Sequence, residues 1–471
     1  MSVPSLNAAL AAHRFGLGEP KLDAVATDPA AWLRGQIGPG DAPIGGPFPT
    51  TVQALAAYSE QKVPISRLLD TGKPGAADSA PAFELREIVD DDLQSRLATA
   101  VGTRRPFAER LVLFWANHFS VSINKGPVRG LAGALEREAI RPNIAGKFET
   151  LLRHASMHAA MVRYLDNNAS TGPHSRAVER LARKGANEER RKKQSTGLNE
   201  NLAREIMELH SLGVAGGGGA YGPWGGYTQA DVTAFAAVLT GWRAYDPPQS
   251  EQATTFYPNF HEPGPKTIMG KSYPEGPQAL DMVIHDLANH PGTARFIATK
   301  LARHFVADEP PVSLVDKLAR SFTQTGGDLS AVYRTLIDAP ESWAPGAHKL
   351  KTPEEFAITS MRVVGVNERN LAKGKQSSPL GNLGQRPHTA PSPAGWPDKA
   401  EEWLGPDAIW KRVEWALRLA ERLGDRVDAR ALARASLGPL LSDTTYQQIE
   451  RAADGTQAVV LLLMSPEFQR R

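Results

Sequence analysis

The stretch from Asn199 to Gly213 constrains the fold of this chain more than any other part of the sequence. Asn199 is a favoured helix cap, no β-branched run interrupts the stretch, and Gly213 is a favoured helix stop. At about 100° per residue, apolar side chains cover most of the circumference of the predicted helix. Such a helix is typical of the interior of a larger protein. The sequence therefore predicts a helical protein organised around this segment.

Polar residues form one narrow stripe on the same predicted helix. Asn201, Glu205 and Glu208 share this stripe. Arg204 lies at its edge, whereas His210 points almost opposite Glu208 and is expected to serve packing. Buried charge needs either a partner or a chemical task. Which of the two applies to this stripe is the main functional question for the chain.

The composition argues against several classes of protein. Of the 471 residues, 41% are hydrophobic, so the chain can bury a sizeable core. The formal net charge of +3 argues against a dedicated nucleic-acid-binding protein, which normally carries a large basic excess. The absence of cysteine excludes disulfides, thiolate metal sites and cysteine nucleophiles.

The sequence leaves the location of the protein open. No apolar run approaches the ~20 residues of a membrane span. The first residues, Met1 to Asn7, lack a basic segment followed by an apolar run, so no signal peptide is visible. A cytoplasmic location is the default expectation, and a periplasmic location is the alternative if a signal was removed.

The hydrophobic periodicity predicts a mainly α protein: a multi-helix globular array with long Gly/Pro-rich loops and at most a minor β-hairpin. The hairpin is expected within 243–275. We interpret 1–471 as a single large helical domain. Its predicted parts are N-terminal helices and loops at 1–90, a helical core at 91–365, a long loop at 366–400 and C-terminal helices at 401–471.

Three positions outside the central helix have both a structural and a functional interpretation. His118 ends the apolar face of a helix predicted from Phe107, and it is either a core histidine bonded to a backbone carbonyl or a functional histidine. The Asp166-Asn167 pair either makes a turn or presents side chains to a site. Thr228 and Asp231 predict a capping box, in which Asp231 has a structural role.

Three loops are unusual. Residues 169–198 carry a basic run that is either solvated or attracts an anionic ligand. The Gly-rich segment 216–227 contains Trp224 and could act as a lid beside the central helix. In the 366–400 loop, Trp396 lies between a glycine and a proline, which favours packing.

A series of short motifs extends along the chain: Phe114 to Phe119, Tyr164 to Asn167, Asn199 to Glu205, Glu208 to His210, Gly226 to Val232, Leu239 to Trp242, His290 to Ala294 and Ser465 to Phe468. Together they resemble the bacterial domain of unknown function 1800 family, from about Leu6 to the end of the chain. The basic run at 174–194 departs from the family as an insertion, and the export signal that many members carry is not seen. The resemblance implies a mainly helical protein. Members often lie beside a sulfatase-like companion family in bacterial genomes, which implies a companion protein and exported or polymeric substrates without identifying a reaction.

The first functional hypothesis is a hydrolase that acts on a glycan by carboxylate acid/base chemistry in a cleft beside the central helix. Side chains three residues apart on a helix come within ~5–6 Å at Cβ, and repulsion between Glu205 and Glu208 would raise one pKa, giving an acid and a base. Asp166 would add a second base or nucleophile at the ~5–9.5 Å separation that glycoside hydrolysis requires. The side chains expected to contact substrate are Asn201, Arg204, Asn167, Trp115, His118, Trp224, Trp242 and Trp396.

Two further hypotheses stay open. In a non-catalytic structural or polysaccharide-binding protein, Arg204 joins the two glutamates and Asp166 in a buried ion network that fixes helix packing. In a metal-dependent enzyme, the glutamates, His118 and Asp166 would hold a divalent ion. The Glu-x-x-His pattern of di-iron bundles is not matched here, so no metal or other cofactor is expected.

Overall fold

The computed structural model describes residues 5–25, 27–61, 85–183, 197–214, 226–245, 252–346, 348–373 and 380–471. Over these residues the chain is mainly helical, as the sequence predicts. The α-helices are α1 Leu6–Leu10, α2 Pro29–Arg34, α3 Thr51–Gln61, α4 Leu85–Gly102, α5 Pro106–His118, α6 Ala132–Ala134, α7 Phe148–Ser156, α8 Ala159–Tyr164, α9 Arg176–Arg183, α10 Asn201–Glu205, α11 Gln229–Leu239, α12 Gln278–Ala288, α13 Pro291–Phe305, α14 Val312–Gln324, α15 Leu329–Asp338, α16 Pro353–Val363, α17 Glu368–Lys373, α18 Pro406–Leu423, α19 Ala429–Leu437, α20 Asp443–Glu450, α21 Gly455–Met464 and α22 Pro466–Gln469.

The β-structure consists of two small antiparallel sheets with two strands each. Strand β1 (Trp242–Arg243) pairs with β2 (Thr255–Phe256), and β3 (Lys266–Ile268) pairs with β4 (Lys271–Tyr273). The β3–β4 pair is the hairpin expected within 243–275. The β1–β2 pair adds one small sheet to that prediction.

Local sequence signals explain where the central helices begin. Pro106 occupies the first turn of α5, where its missing N–H costs no hydrogen bond. Thr228 and Asp231 form the predicted capping box at the start of α11, so the structural role of Asp231 is confirmed. A second capping box, between Thr352 and Glu355, begins α16.

The central segment departs from a regular α-helix. After α10 the chain continues as a π-helical turn from Ile206 to Ser211, with i to i+5 hydrogen bonds. The Ser211 hydroxyl donates to the carbonyl of Ile206 (2.6 Å), five residues earlier, and so stabilises the wider turn. The α-helical spacing assumed from the sequence therefore holds only up to Glu205.

Buried apolar side chains form two clusters within the described residues. The larger contains Trp115, Phe148 and most of the central helices, and the smaller joins α16 to the C-terminal helices. Helix α5 contributes Phe114 to the larger cluster and Leu113 to the smaller. Leu113 and Phe114 also line the main cavity, so α5 places that cavity where the two clusters meet.

Charges inside the helical core are paired with one another. Arg141 binds Glu109 (2.7 Å) and Glu136 (2.8 Å), and Arg96 binds Glu136 and Glu354 (3.0 Å to Glu354). All five side chains are nearly inaccessible to solvent. Buried charge in this protein is thus usually neutralised by a partner. No helix in the described ranges is long and apolar enough to cross a membrane.

Candidate functional site

The main cavity lies between α5, α13, the start of α16 and the loop that carries Trp396. Its volume is about 220 Å³. Asn117 fixes the loop, because its side-chain amide donates to the Trp396 carbonyl (2.9 Å) and its side-chain oxygen accepts from the Trp396 amide (2.8 Å). The lining side chains that carry charge are Lys300, Arg303, Glu354, Glu355, Asp398 and Lys399, and His118 and His304 add imidazoles.

Lys300 enters this cavity from α13 and is held by His118 of α5. The His210 carbonyl can only accept, so Nε2 of His118 donates to it (3.1 Å) and Nδ1 accepts from the Lys300 ammonium (3.0 Å). Burial lowers the pKa of Lys300 to about 8. The ammonium also lies 5.5 Å from the centre of the Phe296 ring. His118 is therefore a buried histidine bonded to a backbone carbonyl, as the structural interpretation predicts, and it also lines the cavity.

A second set of charges forms the wall of the cavity. Asp398 lies 3.4 Å from Nδ1 of His304, and Glu355 accepts from Arg110 (2.6 Å) and Arg471 (2.9 Å). Burial opposes ionisation of Glu355, but the two arginines lower its pKa to about 2. Burial likewise opposes ionisation of Asp398, yet His304, followed by Lys349 and Arg471, keeps its pKa well below the usual range. Hydrogen-bond donors and nearby cations thus hold both carboxylates as anions.

The predicted acidic pair lies on a different surface. Glu205 and Glu208 are half-buried, and within the described residues neither carboxylate forms an ion pair or a hydrogen bond. Burial, followed by the charge of Glu208, raises the pKa of Glu205. Two phenols lie close by: burial and the Glu205 charge raise the pKa of Tyr164, and burial and both glutamates raise that of Tyr227 to about 12. Tyr227 is itself buried, so Glu205, Glu208 and Tyr164 form the surface that we call the acidic face.

Asp166 borders the acidic face through Tyr164. Its carboxylate pairs with Lys125 (2.6 Å), and the Lys125 ammonium also donates to the carbonyl of Tyr164 (2.7 Å). The backbone of Asp166 is left-handed, with φ of 57°, an uncommon conformation for a residue other than glycine. Lys125 therefore joins Asp166 to Tyr164, one of the groups of the acidic face.

The predicted binding residues divide between the acidic face and other places. Arg204 binds Glu200 (3.0 Å) and Gln229 (2.9 Å), and Asn201 is exposed at the start of α10. Asn167 is fully buried, and its amide donates to the carbonyls of Leu239 and Trp242, so it fixes a turn. That position does not support a contact between Asn167 and substrate.

The four predicted tryptophans do not surround the acidic pair. Trp115 is fully buried, and its indole donates to Tyr333 (2.7 Å), so it is a core residue and cannot stack on a ligand. Trp396 lines the main cavity. Trp242 lines a separate groove of about 390 Å³, under the guanidinium of Arg153. Trp224 lies outside the described residues, as do 184–194 of the basic run and 374–379 of the long loop.

Sequence reasoning named His118 and Trp396 but missed the charged residues that line the main cavity with them. Lys300 and His304 lie one helical turn apart, and Asp398 follows Trp396 closely, so a partial signal was present. The pairing itself was not predictable, since Lys300 and His118 are 182 residues apart in the chain. A search of the described parts of the chain found no group of three or more histidine, aspartate or glutamate side chains able to hold a metal ion.

Within the described residues, the fold and the two sites define a mainly helical protein with a cavity lined by charged side chains and a separate acidic face. Residues 10–470 match the family described as "Protein of unknown function (DUF1800)". The chain belongs to this family, so the resemblance drawn from its motifs is confirmed. Comparisons with curated proteins and with solved structures found no match.

Proposed function

We propose that this protein is a hydrolase that acts on a glycan, with Glu205 and Glu208 as its acid/base pair. The observation that carries the proposal is the acidic face: two half-buried carboxylates on one helical segment, neither of which forms an ion pair among the described residues. Other buried carboxylates, such as Glu109 and Glu355, are paired with arginine. An unpaired, partly desolvated pair costs folding free energy and is a common feature of catalytic sites.

The position of Arg204 weighs against a structural ion network at this surface. Such a network would require the guanidinium to bridge the two glutamates. Arg204 instead binds Glu200, which also accepts from Gln229 (2.7 Å) and Thr233 (2.7 Å). The charge of Arg204 is therefore taken up by Glu200 at the start of the helix, and the acidic pair remains available for chemistry.

The protonation of the pair suits general acid catalysis. Because its pKa is raised by burial and by Glu208, Glu205 retains a proton at a higher pH than an exposed glutamate does. In glycoside hydrolysis, Glu205 would donate this proton to the leaving oxygen. A second carboxylate, Glu208 or Asp166, would take a proton from the attacking water.

The groups around the pair suit a polyhydroxylated substrate. The half-buried Tyr164 offers a phenol hydroxyl, and its raised pKa keeps that hydroxyl protonated at neutral pH. Lys125 and Asp166 add one cation and one anion next to Tyr164. Such a mixture of donors, acceptors and ring surface supports a glycan rather than an apolar ester as substrate.

The test is turnover of the purified full-length chain on a panel of polysaccharides, with Glu205→Gln and Glu208→Gln as variants. We expect each variant to lose at least about 100-fold in kcat, since general acid/base groups contribute ~10²–10⁴. Both should melt at or above the wild-type temperature, because each removes one of two repelling half-buried carboxylates. In the pH dependence of kcat, activity should fall on the alkaline side with an apparent pKa above 4.5, because the pKa of Glu205 is raised.

Glu200→Gln is the matched control, since Glu200 precedes the same helix but is paired with Arg204. It should keep its turnover and lose a little stability. Full turnover in both Glu205→Gln and Glu208→Gln, or a loss of activity that only follows a loss of folding, would remove the acidic face from the mechanism. Saturable polysaccharide binding without turnover would instead favour the non-catalytic binding protein.

A further inference from the structure

The main cavity holds two cations that lack a carboxylate partner among the described residues. Each carboxylate in its lining already has a cationic partner: Glu354 binds Arg96, Glu355 binds Arg110, and Asp398 lies against His304 and Lys349. Two lining cations, Lys300 and Arg303, have no carboxylate within ion-pair distance among the described residues. The side chain of Arg303 donates from Nε to the Asp308 carbonyl (3.0 Å). The two unpaired cations are three residues apart on α13, so they project from neighbouring positions of one helix.

Lys300 is held in place rather than free to escape into solvent. Its ammonium donates to Nδ1 of His118, whose ring is fixed in turn by the His210 carbonyl. Asp398 attracts this ammonium from beyond ion-pair distance, so the charged amine loses hydration without gaining a direct ion pair. An anion that entered the cavity would supply that ion pair, and its binding would offset the cost of burying the ammonium.

We propose that this cavity binds a small organic anion of single-ring size, with its carboxylate, sulfate or phosphate group against Lys300 and Arg303. The volume of about 220 Å³ is below the ~300–1,000 Å³ of pockets for drug-sized ligands, so one ring with an anionic substituent is the appropriate size. Trp396 contributes an aromatic side chain to the lining of the cavity. The site lies apart from the acidic face, and the proposal does not depend on the hydrolase activity.

The test is isothermal titration calorimetry of the full-length chain at neutral pH with glucuronate, glucose 6-sulfate and glucose 6-phosphate, and with uncharged glucose for comparison. We expect at least one of the three anions to bind at least about tenfold more tightly than glucose. Comparison of the three also distinguishes a carboxylate ligand from a sulfate or phosphate ligand. The absence of saturable binding of all three up to about 10 mM overturns the proposal.

Single substitutions distinguish binding at Lys300 and Arg303 from a general effect of positive charge in the cavity. Lys300→Met and Arg303→Met should each weaken binding of the preferred anion at least about tenfold. Lys399→Met is the matched control: it removes a lysine from the same lining, but Lys399 is exposed and paired with Glu309 (2.7 Å), so the change should stay below about threefold. Equal affinity of wild type and Lys300→Met would overturn the assignment. Lys300→Met should fold, because it replaces an unpaired ammonium by an apolar chain of similar length.

Discussion

The junction between α16 and the C-terminal residue gives the most quantitative prediction. Glu355 is 4% exposed and accepts hydrogen bonds from Arg110 and from Arg471, the last residue of the chain. Glu355→Gln keeps the shape of the side chain. It also keeps one oxygen that can accept from the backbone amide of Thr352, which donates to Glu355 at 2.9 Å. It removes the single negative charge between two arginines. Those arginines would then repel each other inside the protein.

The size of the effect follows from the pKa of Glu355. The two arginines lower it from 4.5 to about 2 against the opposing effect of burial. At 1.36 kcal/mol per pKa unit, the net of the two arginines and the opposing burial favours the charged form of Glu355 by about 3 kcal/mol. Breaking a buried ion pair by removing one partner typically costs ~3–5 kcal/mol. We therefore expect Glu355→Gln to lower the free energy of unfolding by about 3–5 kcal/mol at pH 7.

The assay is urea unfolding followed by circular dichroism, at a series of pH values. A group with a depressed pKa stabilises the folded state above its unfolded pKa, and that stability is lost as the pH falls towards its folded pKa. The difference between wild type and Glu355→Gln should be constant above about pH 5.5 and should shrink as the pH falls from 4.5 towards 2.

Glu414→Gln provides the matched control for this measurement. Glu414 pairs with Arg418 at 3.7 Å on the exposed side of α18. Exposed pairs of this kind contribute ~0–1 kcal/mol. A loss below about 1 kcal/mol in Glu355→Gln, or a loss equal to that of the control, would refute the ion-pair reasoning.

Three further predictions concern single side chains. Thr228→Ala removes the cap of the Asp231 amide and should cost about 1 kcal/mol in urea unfolding, with recovery in Thr228→Ser; an unchanged midpoint would contradict it. Burial lowers the pKa of Lys300 from 10.5 to about 8, against the attraction of Asp398, so wild type should gain stability as the pH rises from 8 to 10.5. Lys300→Met should remove that rise and should be more stable than wild type at pH 7 by up to about 3 kcal/mol. A destabilised variant would contradict the conclusion that Lys300 is an unpaired charge. Burial lowers the pKa of His210 to about 3, so His210→Phe should retain more stability than wild type as the pH falls below 6.5, measured by urea unfolding at pH 5 and pH 8.

The helices could be predicted from the sequence because their signals are local. The helix predicted from Phe107 to His118 is found at Pro106–His118, and the capping box at Thr228 is present. Both depend on residues within one or two turns of each other. The π-helical turn after Glu205 was not predicted, since helical periodicity does not distinguish i to i+4 from i to i+5 bonding.

The main cavity could not be predicted because its contacts join distant parts of the chain. Glu355 and Arg471 are 116 residues apart, and Asn117 and Trp396 are 279 residues apart. Each residue alone has an ordinary structural interpretation. Their shared location depends on the packing of α5, α13 and α16, which the hydrophobic pattern of one chain does not specify. The division of the chain into domains likewise stays a prediction.

The central segment links the acidic face with the cavity through its two opposite sides. Glu205 and Glu208 point to the acidic face, while His210 is fully buried against Phe119 and His118. The last carbonyls of a helix lack partners within the helix, so the His210 carbonyl is free to accept from Nε2 of His118. That bond fixes which nitrogen of His118 faces Lys300. The end of this segment therefore positions the unpaired lysine of the cavity, while its opposite side carries the unpaired glutamates. Ser211→Ala removes the side-chain hydrogen bond to the Ile206 carbonyl in the π turn, and it should therefore weaken anion binding in calorimetry before it lowers turnover at the acidic pair.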